Sequence, residues 1–322
     1  MSATEANLNA GSTRKKPRRW LRILKRVVVS LLIIVVVLVF GVFPYWFSSI
    51  ITRAGTRPMD RRLTSTPGDF GAQFKDVEFQ TSDGVKISAW LLPSRDKHAT
   101  IVYSHGLFRS RRELLDRAID LWKLGYGALL YDARSHGESG KAPVSMGYWE
   151  RLDVEAAVKF LREESHSEDR IVLFGISMGA AAALLAAAET PEVAAVVSDS
   201  SFISLDDTIK HHVWVFLRLP SFPLANEFEF FLERKAGFDA SKLDALDAVK
   251  RIGERPILFI AAAHDRRMPP EIAQTLYNAS ASPKRDLLVA DGPGSEIHAH
   301  GYQANPQLYI QRTAQFLESV LR

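Results

Sequence analysis

The sequence predicts an α/β protein with a mostly parallel, doubly wound sheet, preceded by one membrane-spanning helix. Three observations indicate this architecture. An uncharged apolar stretch lies near the N-terminus, short apolar runs alternate with helix-like stretches from residue 67 onward, and a glycine-flanked serine separates one such run from a following helix. Continuous apolar runs are typical of strands that are buried on both faces of a parallel sheet.

The N-terminal segment combines a basic region with an apolar one. Residues 27–47 contain no charge, and about 20 apolar residues at ~1.5 Å rise are long enough to cross a ~30 Å hydrocarbon core. Trp20 flanks one end and Tyr45 and Trp46 flank the other, as in the aromatic belts of membrane proteins. The alternative is a cleaved signal peptide, which the length of the apolar run and the lack of an A-x-A site disfavour.

The distribution of charge predicts the orientation of this helix. The net charge is +4, and eight cations precede the apolar stretch: Arg14, Lys15, Lys16, Arg18, Arg19, Arg22, Lys25 and Arg26. By the positive-inside rule, residues 1–26 are expected to form a cytoplasmic tail and the domain after the helix to be extracytoplasmic. A basic arm is also compatible with nucleic-acid binding, but the apolar stretch directly after it favours a topology signal and no nucleic-acid partner. The chain has no cysteine, so its core must stabilise it without disulfides.

After a predicted polar linker at 48–66, one domain is expected at 67–322. Its eight strand candidates are DVEFQT, VKISAWLL, ATIVYSHG, GALLYDA, RIVLFGIS, VAAVVSDS, PILFIAAA and RDLLVAD. Helices are predicted at 112–124, 152–164, 179–189 and 271–279, and the last helix at 306–321 follows an Asn-Pro start signal. Such alternation predicts a parallel sheet with helices on both faces.

One interval interrupts this alternation. More than fifty residues lie between the sixth and seventh strands, and residues 203–245 of this interval are rich in aromatics. They predict either a small helical cap over the C-terminal edge of the sheet or an ordinary packed helix pair with no binding role.

The clearest chemical signal is Gly-x-Ser-x-Gly at 175–179, between a strand and a helix. In this context Ser177 is expected on a tight turn with an exposed hydroxyl, because Gly175 and Gly179 leave room for the turn. The N–H of Met178, at the helix N-terminus, is an expected oxyanion donor. A serine in an ordinary glycine turn is the alternative.

A second oxyanion donor is expected from the loop after an earlier strand. His105-Gly106 ends such a strand, and Gly106 allows the chain to turn so that the N–H of Leu107 points into the site. His105 is interpreted as a residue that orients this loop. Asp132, Arg134 and Glu138 are expected to connect loops near the site, and Glu150 and Asp153 to cap the next helix.

The chain resembles serine hydrolases of the α/β-hydrolase superfamily. The matching pieces are the HG pair at 105–106, DARSHGESG at 132–140, GYWERLDVEAAVKFL at 147–161, GISMGA at 175–180, AAHDRRMPP at 262–270 and HAHGYQANPQLYIQRTAQFL at 298–317. In this order they are similar to the membrane-anchored Bem46-like and ABHD13-like group and to the serine aminopeptidase and monoacylglycerol lipase-like families. The resemblance implies the α/β-hydrolase fold over residues 67–322.

The resemblance also implies the order serine, acid, histidine along the chain. Asp265, after the strand PILFIAAA, is the expected triad acid, which would hold the imidazole tautomer and stabilise the imidazolium. A helix-capping role for Asp265 is the alternative, and Asp291 is a weaker competitor for the acid.

Two histidines compete for the base. In similar proteins the base opens the pattern H-A-x-x-Y-x-x-x-P-x-x-Y, which matches His298 and not His300. One departure is Ile297, where relatives usually carry glycine. His300, two residues after the motif histidine, is expected at the rim of the site.

These residues together predict a membrane-anchored serine hydrolase of an acyl ester or lipid-like substrate, with the bilayer as partner through a signal-anchor helix. No cofactor and no metal are expected. A serine peptidase or amidase of the same fold and a non-catalytic, membrane-tethered binding protein are the alternatives.

Overall fold

The computed structural model describes residues 19–163 and 169–321. Its most prominent N-terminal feature is a 34-residue helix, Arg19–Thr52, that is long and apolar enough to cross a membrane. The helix consists of α1 (Arg19–Val37), a π-helical turn (Leu38–Val42) and α2 (Phe43–Thr52). The first basic residues of the predicted cytoplasmic tail, at 14–18, lie outside the described residues.

The domain is built on one eight-stranded sheet with the order β1-β2-β4-β3-β5-β6-β7-β8. Strand β2 runs antiparallel to both of its neighbours, β1 and β4, and the other pairs are parallel. This confirms the predicted α/β-hydrolase architecture. The strands are β1 (Lys75–Gln80), β2 (Lys86–Leu92), β3 (Ala99–Ser104), β4 (Gly127–Tyr131), β5 (Arg170–Ile176), β6 (Val193–Asp199), β7 (Ile257–Ala262) and β8 (Asp286–Ala290).

Helices cover both faces of the sheet. A short helix α3 (Pro58–Arg61) precedes it, and a helix follows each strand from β3 onward, close to the position where the sequence predicts one. The helices of the domain are α4 (Leu115–Lys123), α5 (Glu150–Glu163), α6 (Met178–Glu189), α7 (Leu205–His212), α8 (Leu224–Ala236), α9 (Ala245–Ile252), α10 (Pro270–Ala279), α11 (Gly301–Ala304) and α12 (Pro306–Val320).

Two apolar cores lie between these helices and the sheet, one on each face. On one face, α5, α6, α9 and α10 pack on side chains such as Val102, Leu173 and Phe259. On the other face, α4 and α12 pack on alternate residues of the same strands, such as Tyr103 and Phe174. Because successive strand residues point to opposite faces, the central strands must be apolar throughout, and β3 and β4 are buried at every position.

The interval between β6 and β7 holds α7, a π-helical turn (Val213–Leu217) and α8, and we call residues 203–245 the cap. Its two ends meet, because the N–H of Ala245 donates to the carbonyl of Ile203 at 2.8 Å. The chain therefore leaves and rejoins the sheet at one point, and α9 serves as the ordinary crossover helix to β7. A small apolar cluster around Phe228 packs the cap onto Phe40 and Phe43 of the N-terminal helix.

Residues 48–66 are not an extended linker in the structure. The helix continues to Thr52, and Ser48, Thr52 and Asp60 are buried against the domain. The sequence suggested a linker because the segment is polar and contains Gly55 and Pro58. These polar groups instead find partners in the domain, which only the tertiary structure reveals.

Candidate active site

Ser177 lies on a strained turn between β5 and α6. Its backbone has φ 54° and ψ −118°, a region that L-residues rarely adopt and that is typical of functional sites. A Cβ on Gly175 would lie 2.2 Å from the carbonyl oxygen of Gly179, and a Cβ on Gly179 would lie 2.1 Å from that of Ser104. The two glycines are therefore required for the close approach that raises the serine above the sheet.

His298 and Asp265 extend from two later loops to Ser177. His298 Nε2 is 2.8 Å from Ser177 Oγ, and His298 Nδ1 is 2.6 Å from Asp265 Oδ2. The three residues follow β5, β7 and β8, because the carboxyl ends of parallel strands meet at one edge of a sheet. The structure thus connects the three predicted residues by hydrogen bonds, in the geometry of a nucleophile, base and acid.

The environment of Asp265 favours its ionised form. Burial alone raises the pKa of this carboxyl, but the hydrogen bond and charge of His298 and two backbone N–H groups lower the pKa below its ordinary value. The N–H groups of Arg267 and Met268 donate to Asp265 Oδ1 at 2.8 and 3.0 Å. A buried carboxylate that accepts this many hydrogen bonds is fixed in position and in charge.

The competing residues lie elsewhere. Asp291 is exposed and lies 3.5 Å from His264, with no contact to His298 among the described residues. His300 lines the same cavity as Ser177, but the hydrogen bonds to Ser177 and Asp265 are made by His298. The structure therefore places His298, and not His300, within hydrogen-bond distance of both Ser177 and Asp265.

The two expected oxyanion donors flank Ser177. Met178 is the first residue of α6, where backbone N–H groups have no partner within the helix. Leu107 lies in the loop after β3 and lines the cavity together with Gly106 and Ser177. A Cβ on Gly106 would lie 3.6 Å from Ser177 Cβ, which shows how closely this loop approaches the serine.

Buried polar side chains hold the loop that carries Leu107. His105 Nε2 accepts the N–H of Ala133 at 2.9 Å, and His136 Nε2 accepts the N–H of Phe108 at 3.2 Å. Burial lowers the pKa of His136 to about 3, so this imidazole is neutral and acts as an acceptor. His105 therefore orients the loop, as the sequence indicated.

Ion pairs connect the neighbouring loops. Arg111 and Asp132 form a fully buried pair at 2.8 Å, and Arg134 pairs with Asp153 at 2.8 Å. Asp132, Arg134 and Glu138 thus have the predicted structural role. The helix-capping prediction for Asp153 is wrong: Asp153 lies one turn inside α5, where its carboxylate accepts hydrogen bonds from Arg134 instead.

Sequence reasoning missed a second buried network under the catalytic edge. Tyr309 OH donates to Asp199 Oδ2 at 2.6 Å, and the backbone oxygen of Asp199 accepts the N–H of Ser177 at 2.9 Å. Arg117 is buried and donates to the carbonyl of Ala299 at 3.3 Å, next to His298. The signals for these residues were an acid at the end of β6 and the last tyrosine of the motif that opens at His298. Arg117 had none, because α4 carries several charged residues.

Ser177 lies in a cavity of about 780 Å³. Its lining is mostly apolar and comes mainly from four parts of the chain: the loop after β3, the cap, the loop that carries His298, and α2 of the N-terminal helix. A cavity of this size and character suits an apolar or amphipathic small molecule.

Comparison with known proteins supports the fold that carries this site. Residues 95–227 match the family model described as serine aminopeptidase, S33. The chain is 28% identical to the protein YqkD of Bacillus subtilis over 81% of this chain and 86% of the relative. Two fungal proteins, bem46 of Schizosaccharomyces pombe and a membrane protein of Saccharomyces cerevisiae, are each 24% identical over 70% and 71% of this chain and 72% and 75% of their own length.

A solved structure aligns over almost its whole length. The esterase Pf2001 of Pyrococcus furiosus is 29% identical, with a TM-score of 0.68, and the alignment covers 84% of this chain and 99% of that one. Together with the eight-stranded sheet, these similarities show that the chain has the α/β-hydrolase fold.

Proposed function

We propose that the protein is a membrane-anchored serine hydrolase that cleaves a carboxylic ester through an acyl-enzyme on Ser177. The observation that supports this most strongly is the continuous hydrogen-bonded path from Ser177 Oγ through His298 to Asp265, at the base of a largely apolar cavity. Each of the three side chains has the contact that its proposed role requires.

The proposed reaction has two halves. His298 Nε2 takes the proton of Ser177 as Oγ attacks the ester carbonyl, and the resulting imidazolium is stabilised by Asp265. The imidazolium then donates its proton to the departing alkoxide, which leaves an acyl group on Ser177. Water, deprotonated by the same imidazole, attacks the acyl carbonyl and releases the acid and the free serine. The scheme requires no cofactor or metal.

The N–H groups of Leu107 and Met178 are proposed to stabilise the negative charge on the carbonyl oxygen in both halves. Donors that are held in place before the reaction are effective because they need no reorganisation when charge develops. The His105 and His136 hydrogen bonds to the loops around Leu107 provide this rigidity.

An ester is favoured over an amide as substrate. The cavity is lined mainly by apolar side chains, and the solved relative at 29% identity is an esterase. The description of the matching family model, serine aminopeptidase, favours the alternative of a peptidase or amidase of the same fold.

We also propose that the helix Arg19–Thr52 anchors the protein in a membrane, with the N-terminus in the cytoplasm and the domain outside. Its apolar side chains from Val27 to Val37 are exposed in the isolated chain, which is costly in water and favourable in lipid. A membrane protein among the relatives supports this anchoring.

Hydrolysis assays test the proposed activity. The wild type should hydrolyse p-nitrophenyl butyrate, and Ser177→Ala should lose at least ~10³-fold of kcat. The matched control is Ser319→Ala, on the far helix α12, which should retain wild-type activity. Faster turnover of aminoacyl p-nitroanilides than of esters by the wild type would instead assign the peptidase function.

A further inference from the structure

The cavity around Ser177 has an unusual wall. Phe43, Phe47, Ser48 and Ile51 line it, and all four belong to α2, the end of the apolar N-terminal helix. Their spacing of four, five and eight residues places them on one face of the helix. The anchor is therefore a part of the candidate active site, and not only a tether for it.

Aromatic contacts hold this helix face against the cap. The rings of Phe43 and Phe47 each lie 5.4 Å from that of Phe228 in α8, in edge-to-face arrangements. Lys235 of the same helix lies 3.5 Å above the Tyr45 ring and donates to Ser48 Oγ at 3.1 Å. Aromatic pairs and cation–π contacts of this kind fix one orientation of the two helices.

The residues directly after α2 brace the loop that carries Leu107. The N–H of Arg57 donates to the carbonyl of Phe108 at 2.9 Å, and Thr56 Oγ1 donates to the carbonyl of Arg109 at 2.8 Å. Asp60 pairs with Arg109 at 3.1 Å. The contacts of α2 with the cap, and of the following residues with the loop that carries Leu107, together fix the position of α2 relative to Ser177.

The same wall residues lie at the end of the predicted membrane span. Residues 27–47 cover the ~30 Å hydrocarbon core at ~1.5 Å per residue, so Phe43 and Phe47 fall at the bilayer surface. The cap exposes large apolar side chains next to this point: Phe216 lines the cavity mouth, and Phe230 packs on Phe231, which in turn contacts Tyr45. Exposed apolar side chains of this kind are typical of membrane-contacting surfaces.

We propose that α2 forms one wall of the acyl-chain site, and that this site opens at the bilayer surface so that the substrate is a long-chain acyl ester taken from the membrane. This inference rests on the proposed function and adds its substrate class. An acyl chain that leaves the bilayer beside α2 exchanges lipid contacts for contacts with Phe43, Phe47 and Ile51, and its ester carbonyl reaches Ser177 without passing through water.

The chain-length profile of ester hydrolysis tests this wall. Full-length protein in phosphatidylcholine vesicles would be assayed with p-nitrophenyl esters from acetate to palmitate. Phe47→Ala should raise KM for chains of eight or more carbons by roughly tenfold, because ring contacts are lost, and should raise KM for acetate much less. Ile51→Phe, which fills the cavity, should shift the preferred chain to a shorter ester.

Trp46→Ala is the matched control, because Trp46 is an aromatic of the same helix whose side chain is exposed and does not line the cavity. It should keep the wild-type profile. Profiles of Phe47→Ala and Ile51→Phe that coincide with that of the wild type would overturn the inference, while acetate turnover by all variants would leave the proposed function intact. A wild type that does not hydrolyse the acetate ester would instead contradict both the proposed function and this inference.

A second experiment tests whether the substrate enters the site from the bilayer. A bilayer-confined ester, 4-methylumbelliferyl oleate, would be placed either in the vesicles that contain the enzyme or in separate vesicles. Entry from the bilayer predicts at least fivefold faster hydrolysis in the shared vesicles. Equal rates in the two arrangements would contradict it.

Discussion

His298 and His300 lie two residues apart in one loop, but only His298 makes the hydrogen bonds to Ser177 and Asp265. The motif register assigned His298 as the base, despite Ile297 in place of the usual glycine. In the structure the non-glycine residue of this loop with a positive φ is Ala299, directly after His298, with φ 63°. The loop thus turns after His298 and still directs its imidazole toward Ser177 and Asp265.

This assignment predicts unequal effects of two substitutions. His298→Ala removes the proposed base and should lower kcat by about 10³ to 10⁴-fold. His300→Ala changes only a side chain at the rim and should lower kcat by less than ~10-fold. Steady-state hydrolysis of p-nitrophenyl butyrate measures both, and a larger loss in His300→Ala would reverse the roles.

Residues also mark the limit of the sequence argument. Ser177, Asp265 and His298 were predictable because each follows an apolar strand and matches a motif in the right order. Asp199 and Tyr309 form a buried hydrogen bond across 110 residues of sequence. Tyr309 closes the motif that opens at His298, but nothing in that motif indicates Asp199 as its partner. Their partnership depends on the packing of α12 beneath β6, which no local pattern specifies.

At the scale of elements, the strands and helices of the sheet were predicted within a few residues, because apolar periodicity determines them directly. The segment 48–66 was not, because its polar residues have partners in loops that are distant in sequence. Thr56 illustrates this: its hydroxyl donates to Arg109 and accepts the N–H of Gly137 at 2.7 Å.

The loops beside the oxyanion donors predict a dependence of stability on pH. The ordinary pKa of histidine, 6.5, is lowered to about 3 in folded His136 by burial. Below pH 6.5 the unfolded chain therefore binds a proton that the folded chain does not. The unfolding free energy should fall as the pH drops, by up to about 1.4 kcal/mol per pH unit from this residue.

Urea unfolding in detergent between pH 7.5 and 4.5 measures this dependence. His136→Asn should be less stable at pH 7.5 but should lose less stability on acidification than the wild type, since the residue no longer titrates. Parallel pH profiles for the two proteins would show that His136 is not buried as a neutral acceptor.

The whole protein is expected to have one orientation in the membrane, with the domain outside the cytoplasm. The cations before the apolar stretch predict a cytoplasmic N-terminus. The chain has no cysteine, so a single introduced cysteine is a unique label. Ser241→Cys, at an exposed position of the cap, should react with a membrane-impermeant maleimide in intact cells, and Ser2→Cys only after lysis. The reverse pattern would place the domain in the cytoplasm.

Covalent labelling tests whether the hydroxyl of Ser177 is the reactive nucleophile. A fluorophosphonate probe, followed by peptide mapping of the full-length protein by mass spectrometry, should place the adduct on Ser177. Labelling should disappear in Ser177→Ala and become much slower in His298→Ala. An unlabelled wild type, or equal labelling of wild type and Ser177→Ala, would show that Ser177 is not the nucleophile.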